Sequence, residues 1–227
     1  MAPPKPCAIA IFSHGYMMNR CELTPVAASL YRRGFACMVY DARAHGKSSG
    51  KSGVGYLERL DVMAAVEEAR RRLPTLKVVL IGSSMGSVAS ALALGEHESL
   101  ADALVLDSAY SKLPSASLGW WRFVGGPVLA ALFAPTILLA WPISGFNPFR
   151  VDVAEALYKI KAPVLFFHGD HDDLALPREA IRNFESCENN AEIVWFKDCG
   201  HSEGRWLQPE LYLDSLLSFL GRNKIGN

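Results

Sequence analysis

The sequence predicts an α/β fold: a mostly parallel, doubly wound sheet with helices on both faces and a helical cap inserted at about 110–162. Three observations carry that expectation. Short apolar, β-rich runs alternate with helix-like stretches along the chain, the pattern of strands joined by right-handed helical crossovers. Every strand-like run ends in glycine, hydroxyl, carboxylate or imidazole residues, and open parallel sheets gather reactive groups at those ends. About fifty residues then separate the fourth strand from the fifth.

Taken in order, the first strand covers residues 7–13 and runs into SHGYMMN; a helix over 22–33 follows. The second strand, 35–41, ends in DARAHGKSSG and leads to a helix over 56–72. There Leu57, Leu60, Met63, Ala64 and Ala69 fall near helical spacing, while Arg70, Arg71 and Arg72 crowd the exposed end. The third strand, 77–81, is followed by GSSMG and a helix over 85–96, and the fourth, 103–107, by DSAYSKL. After the insertion, strand 163–168 runs into HGDHDDLALP and a helix over 177–185. The last strand, 192–196, ends in KDCGHSEG before a helix over 209–220. Repeats, low-complexity tracts and linker-like stretches are absent, so the expectation is one domain over 1–227.

Composition narrows the function. The chain carries 23 basic and 23 acidic side chains, and this balance gives no reason to expect a nucleic-acid partner. Five scattered cysteines form no C-x-x-C pair, which argues against a disulfide framework and suggests reduced thiols in the cytoplasm. The opening MAPPKPCAIAIF lacks the features of a secretory signal. Residues 123–143 contain no charge and are long enough to span a bilayer. Three prolines (Pro127, Pro135, Pro142) and a Gly-Gly pair predict short helices over a pocket instead. Contact of that cap with a membrane surface stays open.

The chemistry centres on GSSMG. Its G-x-S-x-G frame puts Ser84 at the apex of a strand-to-helix turn, with Ser83 displaced by one residue and pointing elsewhere. A serine hydroxyl needs a general base to take its proton, and that base works best when a carboxylate fixes its tautomer. Acids at 170–173 and then His201 follow Ser84 in the chain. A metal reading of His168, Asp170, His171 and Asp172 finds no second ligand group at matching spacing. His168, which closes an apolar strand, is expected to bond a neighbouring loop. Asp41 and Arg43 are expected to brace loops.

HG plus an aromatic, D-x-R-x-H-G-x-S, G-x-S-x-G, HG-x-x-D and GHS occur in this order over nearly the whole chain. In this the sequence resembles the α/β-hydrolase superfamily, within it the small serine aminopeptidase-like and esterase/lipase-like hydrolases and the depalmitoylase-type members. The resemblance implies Ser84 as nucleophile and His201 as base. HG-x-x-D selects Asp172 as the acid, whereas counting back from Pro177 selects Asp173; the distance from the strand end favours Asp172. For the backbone donors that meet a developing oxyanion, Met85 follows the nucleophile, and the resemblance adds Tyr16, with Met17 the alternative. No cofactor or metal is implied. Many members carry a strand hairpin before the HG strand, and here that strand begins almost at once. The expectation is a minimal or shortened core whose open edge leaves monomer and homodimer as alternatives.

The insertion bears on substrate. From 109 to 151 there is no Asp or Glu, and Trp120, Trp121, Phe123, Phe133, Trp141, Phe146 and Phe149 stand among three cations. An aminopeptidase must hold a protonated amine, usually with carboxylates. An apolar cap favours an acyl chain instead. The sequence therefore predicts a serine hydrolase of small to medium apolar esters or thioesters. The alternatives are an aminopeptidase or acyltransferase on the same residues, and a non-catalytic binding protein of the same fold.

Overall fold

Six parallel strands form one sheet in the order β2-β1-β3-β4-β5-β6. They are β1 (Ala8–Ser13), β2 (Phe35–Val39), β3 (Val78–Ser83), β4 (Ala103–Asp107), β5 (Val164–Gly169) and β6 (Ala191–Phe196). The structure is a computed structural model. It describes residues 1–187 and 190–226, and residues 140, 141, 143 and 144 by their backbone alone.

Strands β1, β3, β4 and β5 are buried along their whole length, which is why they read as nearly continuous apolar runs. Alternate residues feed opposite faces. On one face Ile9, Ile11, Val78, Leu80, Leu104 and Leu106 pack with Val62, Val66, Val88 and Leu94. These come from α2 (Arg59–Arg72) and α3 (Met85–Glu96). On the other, Ala10, Phe12, Val79, Ile81, Val105 and Phe167 pack with Val26, Leu30, Tyr212, Leu216 and Phe219. These come from α1 (Thr24–Tyr31) and α9 (Pro209–Arg222). The doubly wound expectation holds on both faces.

Two helix starts moved for physical reasons. Helix α1 starts at Thr24, with Pro25 suited to a first turn, and this leaves Glu22 outside the helix. Helix α2 starts at Arg59 because the buried Glu58 carboxylate accepts hydrogen bonds from Ser52 Oγ and the Gly53 and Gly55 amides, fixing a turn ahead of it.

The insertion is helical, as predicted. Helix α4 (Leu113–Phe133) breaks at Gly125 and Gly126, ahead of Pro127. α5 (Thr136–Ser144), a 3-10 turn (Pro148–Arg150) and α6 (Val153–Tyr158) follow. α6 belongs to the core rather than to the cap, because Val153 and Leu157 are fully buried against the sheet cluster. Among the described residues, no helix is long and apolar enough to cross a membrane. α7 (Pro177–Glu185) and the short α8 (Gly204–Leu207) complete the chain. At the β2 edge, Met1 exchanges two backbone hydrogen bonds with Cys37, each 2.8 Å long.

This topology positions the site. β1 and β3 are neighbours, but the chain leaves β1 toward β2 on one side and leaves β3 toward β4 on the other. A crevice therefore opens above their carboxyl ends, and there SHGYMMN and GSSMG face each other.

Candidate active site

Ser84 sits at the turn between β3 and α3 with φ 48° and ψ −113°, a strained conformation for a residue with a Cβ. Its amide donates to the Asp107 carbonyl at 2.7 Å, which ties the turn to β4. The flanking glycines are obligatory on steric grounds. A Cβ on Gly82 would lie 2.4 Å from the Ser87 nitrogen, and one on Gly86 would lie 2.0 Å from the Ser13 carbonyl oxygen. Without a Cβ on Gly86, α3 closes onto the end of β1.

The hydroxyl of Ser84 lies 2.8 Å from Nε2 of His201, and His201 Nδ1 lies 2.8 Å from Oδ2 of Asp172. Asp172 is buried, and its Oδ1 accepts the amides of Leu174 and Ala175 at 2.9 and 2.8 Å. Oδ2 is thereby left to His201. A carboxylate accepts only, so His201 donates from Nδ1, and Nε2 stands as the acceptor of the Ser84 proton. Asp173, the alternative acid, is exposed.

Two further histidines hold loops in place. His168 is buried and its Nε2 donates to the Ala175 carbonyl at 2.8 Å, the loop contact expected from sequence. Burial lowers its pKa against the opposing pull of Asp172. His14 of the HG motif accepts the Ala42 amide at Nε2, 3.0 Å away, so its proton rests on Nδ1 and meets the Gly15 carbonyl at 2.8 Å. Burial likewise lowers its pKa. Asp41 binds the amides of Arg20 and Lys47, and Arg43 pairs with Asp61, so both brace loops.

Tyr16 and Met85 both border the pocket next to Ser84. Among the described residues, neither backbone amide donates to a protein acceptor. A Cβ on Gly15 would come within 3.6 Å of the Ser84 Cβ, so the loop carrying Tyr16 lies against the turn. Met17 has φ 60° and is largely exposed.

A buried ionic cluster beneath these loops gave no signal in the sequence. Arg205 donates to Asp107 Oδ2 at 2.7 Å, to Ser83 Oγ at 3.0 Å and to Glu22 Oε1. Glu22 also accepts Ser83 Oγ at 2.9 Å and the Gly15 amide at 2.6 Å. All three charged side chains are nearly inaccessible. Burial raises the Asp107 pKa against Arg205, whereas Asp107 and Glu22 hold Arg205 firmly protonated despite its burial. One guanidinium thus ties the segment after the His201 loop to the loop that follows β1 and to the ends of β3 and β4. Ser83, as expected, points away from the apex.

The pocket above Ser84 encloses about 640 Å³. Leu113, Ala116, Trp120, Trp121, Phe123 and Leu174 line it with Tyr16 and Met17. Tyr16 joins core to cap through an edge contact with Trp120, centroids 6.2 Å apart. Phe133 instead stacks on Trp121 at 4.2 Å, and Phe146 on Tyr56 at 4.7 Å, so these rings pack the cap rather than line the pocket. Phe149 is half-exposed. The Trp141 side chain lies outside the described residues. The carboxylates bordering the pocket come from the core: Glu22, engaged by Arg205, and the exposed Glu203. Among the described residues, no group of three or more His, Cys, Asp or Glu side chains is arranged to hold a metal ion.

A six-stranded parallel sheet with a serine turn above β3 and a histidine loop after β6 is the architecture of the α/β hydrolases. The chain belongs to the serine aminopeptidase (S33) family, whose model matches residues 4–146. It is 28% identical over 218 residues to the α/β hydrolase domain-containing protein aho-3 of Caenorhabditis elegans, which covers 92% of this chain and 56% of that protein. It is 26% identical to the uncharacterized protein YqkD of Bacillus subtilis, over 92% of this chain and 70% of that one. The chain thus spans little more than half of the first relative and about two thirds of the second. Among solved structures, the Pyrococcus furiosus esterase Pf2001 is similar at 25% identity, covering 96% of this chain and 82% of its own, with a TM-score of 0.78.

Proposed function

We propose that the chain is a serine hydrolase that cleaves carboxylic esters or thioesters of small to medium apolar acyl groups. The observation that carries this reading is the unbroken chain of hydrogen bonds from Ser84 through His201 to Asp172 at the floor of an apolar pocket. Ser84 Oγ attacks the acyl carbon while His201 Nε2 takes its proton. Charge gathers on the carbonyl oxygen, which the Tyr16 and Met85 amides meet as fixed dipoles. His201 then returns the proton to the departing alcohol or thiol, and the acyl group stays on Ser84. Water, deprotonated by His201, attacks this acyl-enzyme; the acyl–Oγ bond breaks, His201 gives its proton back to Ser84 Oγ, and the acid is released. Asp172 holds His201 in one tautomer and stabilises the imidazolium at each step.

The Pf2001 structure is that of an esterase, which favours the ester reading. Glu203 favours a second one, aminopeptidase action, because its exposed carboxylate borders the pocket, with one oxygen accepting the Gly200 amide at 2.7 Å. A series of p-nitrophenyl esters alongside alanyl and leucyl arylamides separates the two. The ester reading expects kcat/KM to rise with acyl length, by up to about fourfold per buried methylene, and then to stop abruptly at the far wall. Fast arylamide cleavage that Glu203→Gln abolishes, with no acyl-length dependence, would overturn it.

A further inference from the structure

We infer that the outer face of the cap docks on an anionic lipid surface. Residues 123–139 contain no charged side chain, and much of this stretch is exposed. Phe123, Val124, Val128, Leu132, Leu138 and Leu139 each show more than half of their surface, Val128 as much as 80%. A helix at the surface of a water-facing protein presents its apolar stripe inward and a polar stripe outward. Here Leu129, Phe133 and Ile137 already supply the half-buried inner stripe. The outer one, through Val128 and Leu132, is apolar as well. An uncharged face of this size marks a surface that meets another apolar phase.

Charge identifies the phase. Between Asp107 and Asp152 there is no acidic residue, in a chain that is otherwise balanced. The cations that accompany the face are Arg122, half-buried and bonded to the Asp173 carbonyl, and the exposed Arg150. The 3-10 turn carrying Arg150 packs against both α4 and α5. Lys112, at the base of the cap, is paired with Asp152. In a second copy seated on this face, residues 108–151 of each chain would offer the other cations and no acid. Lipid headgroups of negative charge complement it, and the apolar side chains enter the headgroup boundary. The break at Gly125 and Gly126 makes the segment two short helices suited to lying on a surface. Phe123 is exposed and also lines the pocket, so the face is continuous with the pocket.

Docking requires no turnover, so its test is separate from that of the hydrolase. The full chain is sedimented with phosphatidylcholine vesicles, with and without phosphatidylserine, at low and high salt. The expected result is binding that needs phosphatidylserine, weakens with salt and falls at least about tenfold in a Val128→Glu, Leu132→Glu double variant. Ile181→Glu, an equal charge placed on α7, should bind as the unaltered chain does. Hydrolysis of a short water-soluble ester should be unchanged in the double variant, which shows that the fold is intact. Binding equally strong without phosphatidylserine, no binding to either vesicle, or full binding by the double variant would overturn the proposal. So would a dimer, seen by light scattering, that the double variant dissolves.

Discussion

The loops at the carboxyl edge of the sheet and the cap above them border the same pocket but are held by different forces. Each core loop is fixed by directional bonds: Gly15 by Glu22, Ala42 by His14, Ser83 by Arg205, Ala175 by Asp172. Directional bonds fix atoms to within tenths of an ångström, which the proposed proton transfer between Ser84 and His201 would require. Directional bonds tie the base of the cap, Ser115 to Glu179 and Arg122 to the Asp173 carbonyl, while over the pocket, cap and core meet through apolar side chains and the Tyr16–Trp120 ring pair. Such contacts define a volume and a polarity, which suits the recognition of an acyl chain. On the proposed reading, placement of the reacting atoms and choice of substrate are carried by separate parts of the chain.

The largest test of that division replaces the acid. Asp172→Asn should lower kcat by about ten-thousandfold, as expected when the base loses the carboxylate that fixes its tautomer. Asp173→Asn should change it by less than about twofold, since that carboxylate is exposed. Steady-state kinetics on one short ester compares the two, and the reverse order would move the acid to Asp173.

Next in size is the buried cluster. Arg205→Met leaves Glu22 and Asp107 buried without their cation and should cost about 3–5 kcal/mol of stability by urea unfolding. A loss below about 1 kcal/mol would mean that the cluster does not hold the loops. Glycines give a paired comparison between the regions. Gly86→Ala drives a methyl into the Ser13 carbonyl and should prevent a native elbow. Gly126→Ala meets nothing within 4 Å, so only its φ of +76° opposes the change. It should cost about 1–3 kcal/mol, confined to the cap.

The smallest effect is a pH response confined to the core. His14 and His168 have pKa values lowered from the ordinary 6.5 by burial, so the native state binds fewer protons than the unfolded chain. Their contribution to stability is full above pH 6.5 and lost as the pH falls from there through the folded values. Asp107, raised by burial, acts in the opposite sense. Thermal midpoints should therefore decline below pH 6.5, and His14→Gln should flatten part of that slope. A midpoint that rises on acidification would contradict it.

What the sequence disclosed follows the same division. The Ser84 turn was legible because tight turns restrict residue type at fixed spacing, as the Gly82 and Gly86 contacts explain. His201, picked out by its place after the last strand, stands 2.8 Å from Ser84. Distance from the strand end pointed to Asp172 over Asp173, and it is Asp172 that stands against His201. The amides of Leu174 and Ala175 that hold its other oxygen were not foreseen. Glu22 and Arg205 are 183 positions apart, and no local pattern foretells that loops so distant meet. The helix break was visible in Gly125, Gly126 and Pro127. The inward and outward faces of α4 were not, since both are apolar, and α6 was assigned to the cap although its side chains complete the core.

The most direct measurement of the central claim is reaction with a fluorophosphonate, followed by mass spectrometry of the modified peptide. The probe should add once, to Ser84 Oγ, at a rate that Asp172→Asn lowers sharply. Ser84→Ala should abolish the adduct, while Ser83→Ala, which loses contacts to Glu22 and Arg205, should keep it. An adduct on any other residue, or an unaltered chain that fails to react, would contradict the assignment of Ser84 as the nucleophile.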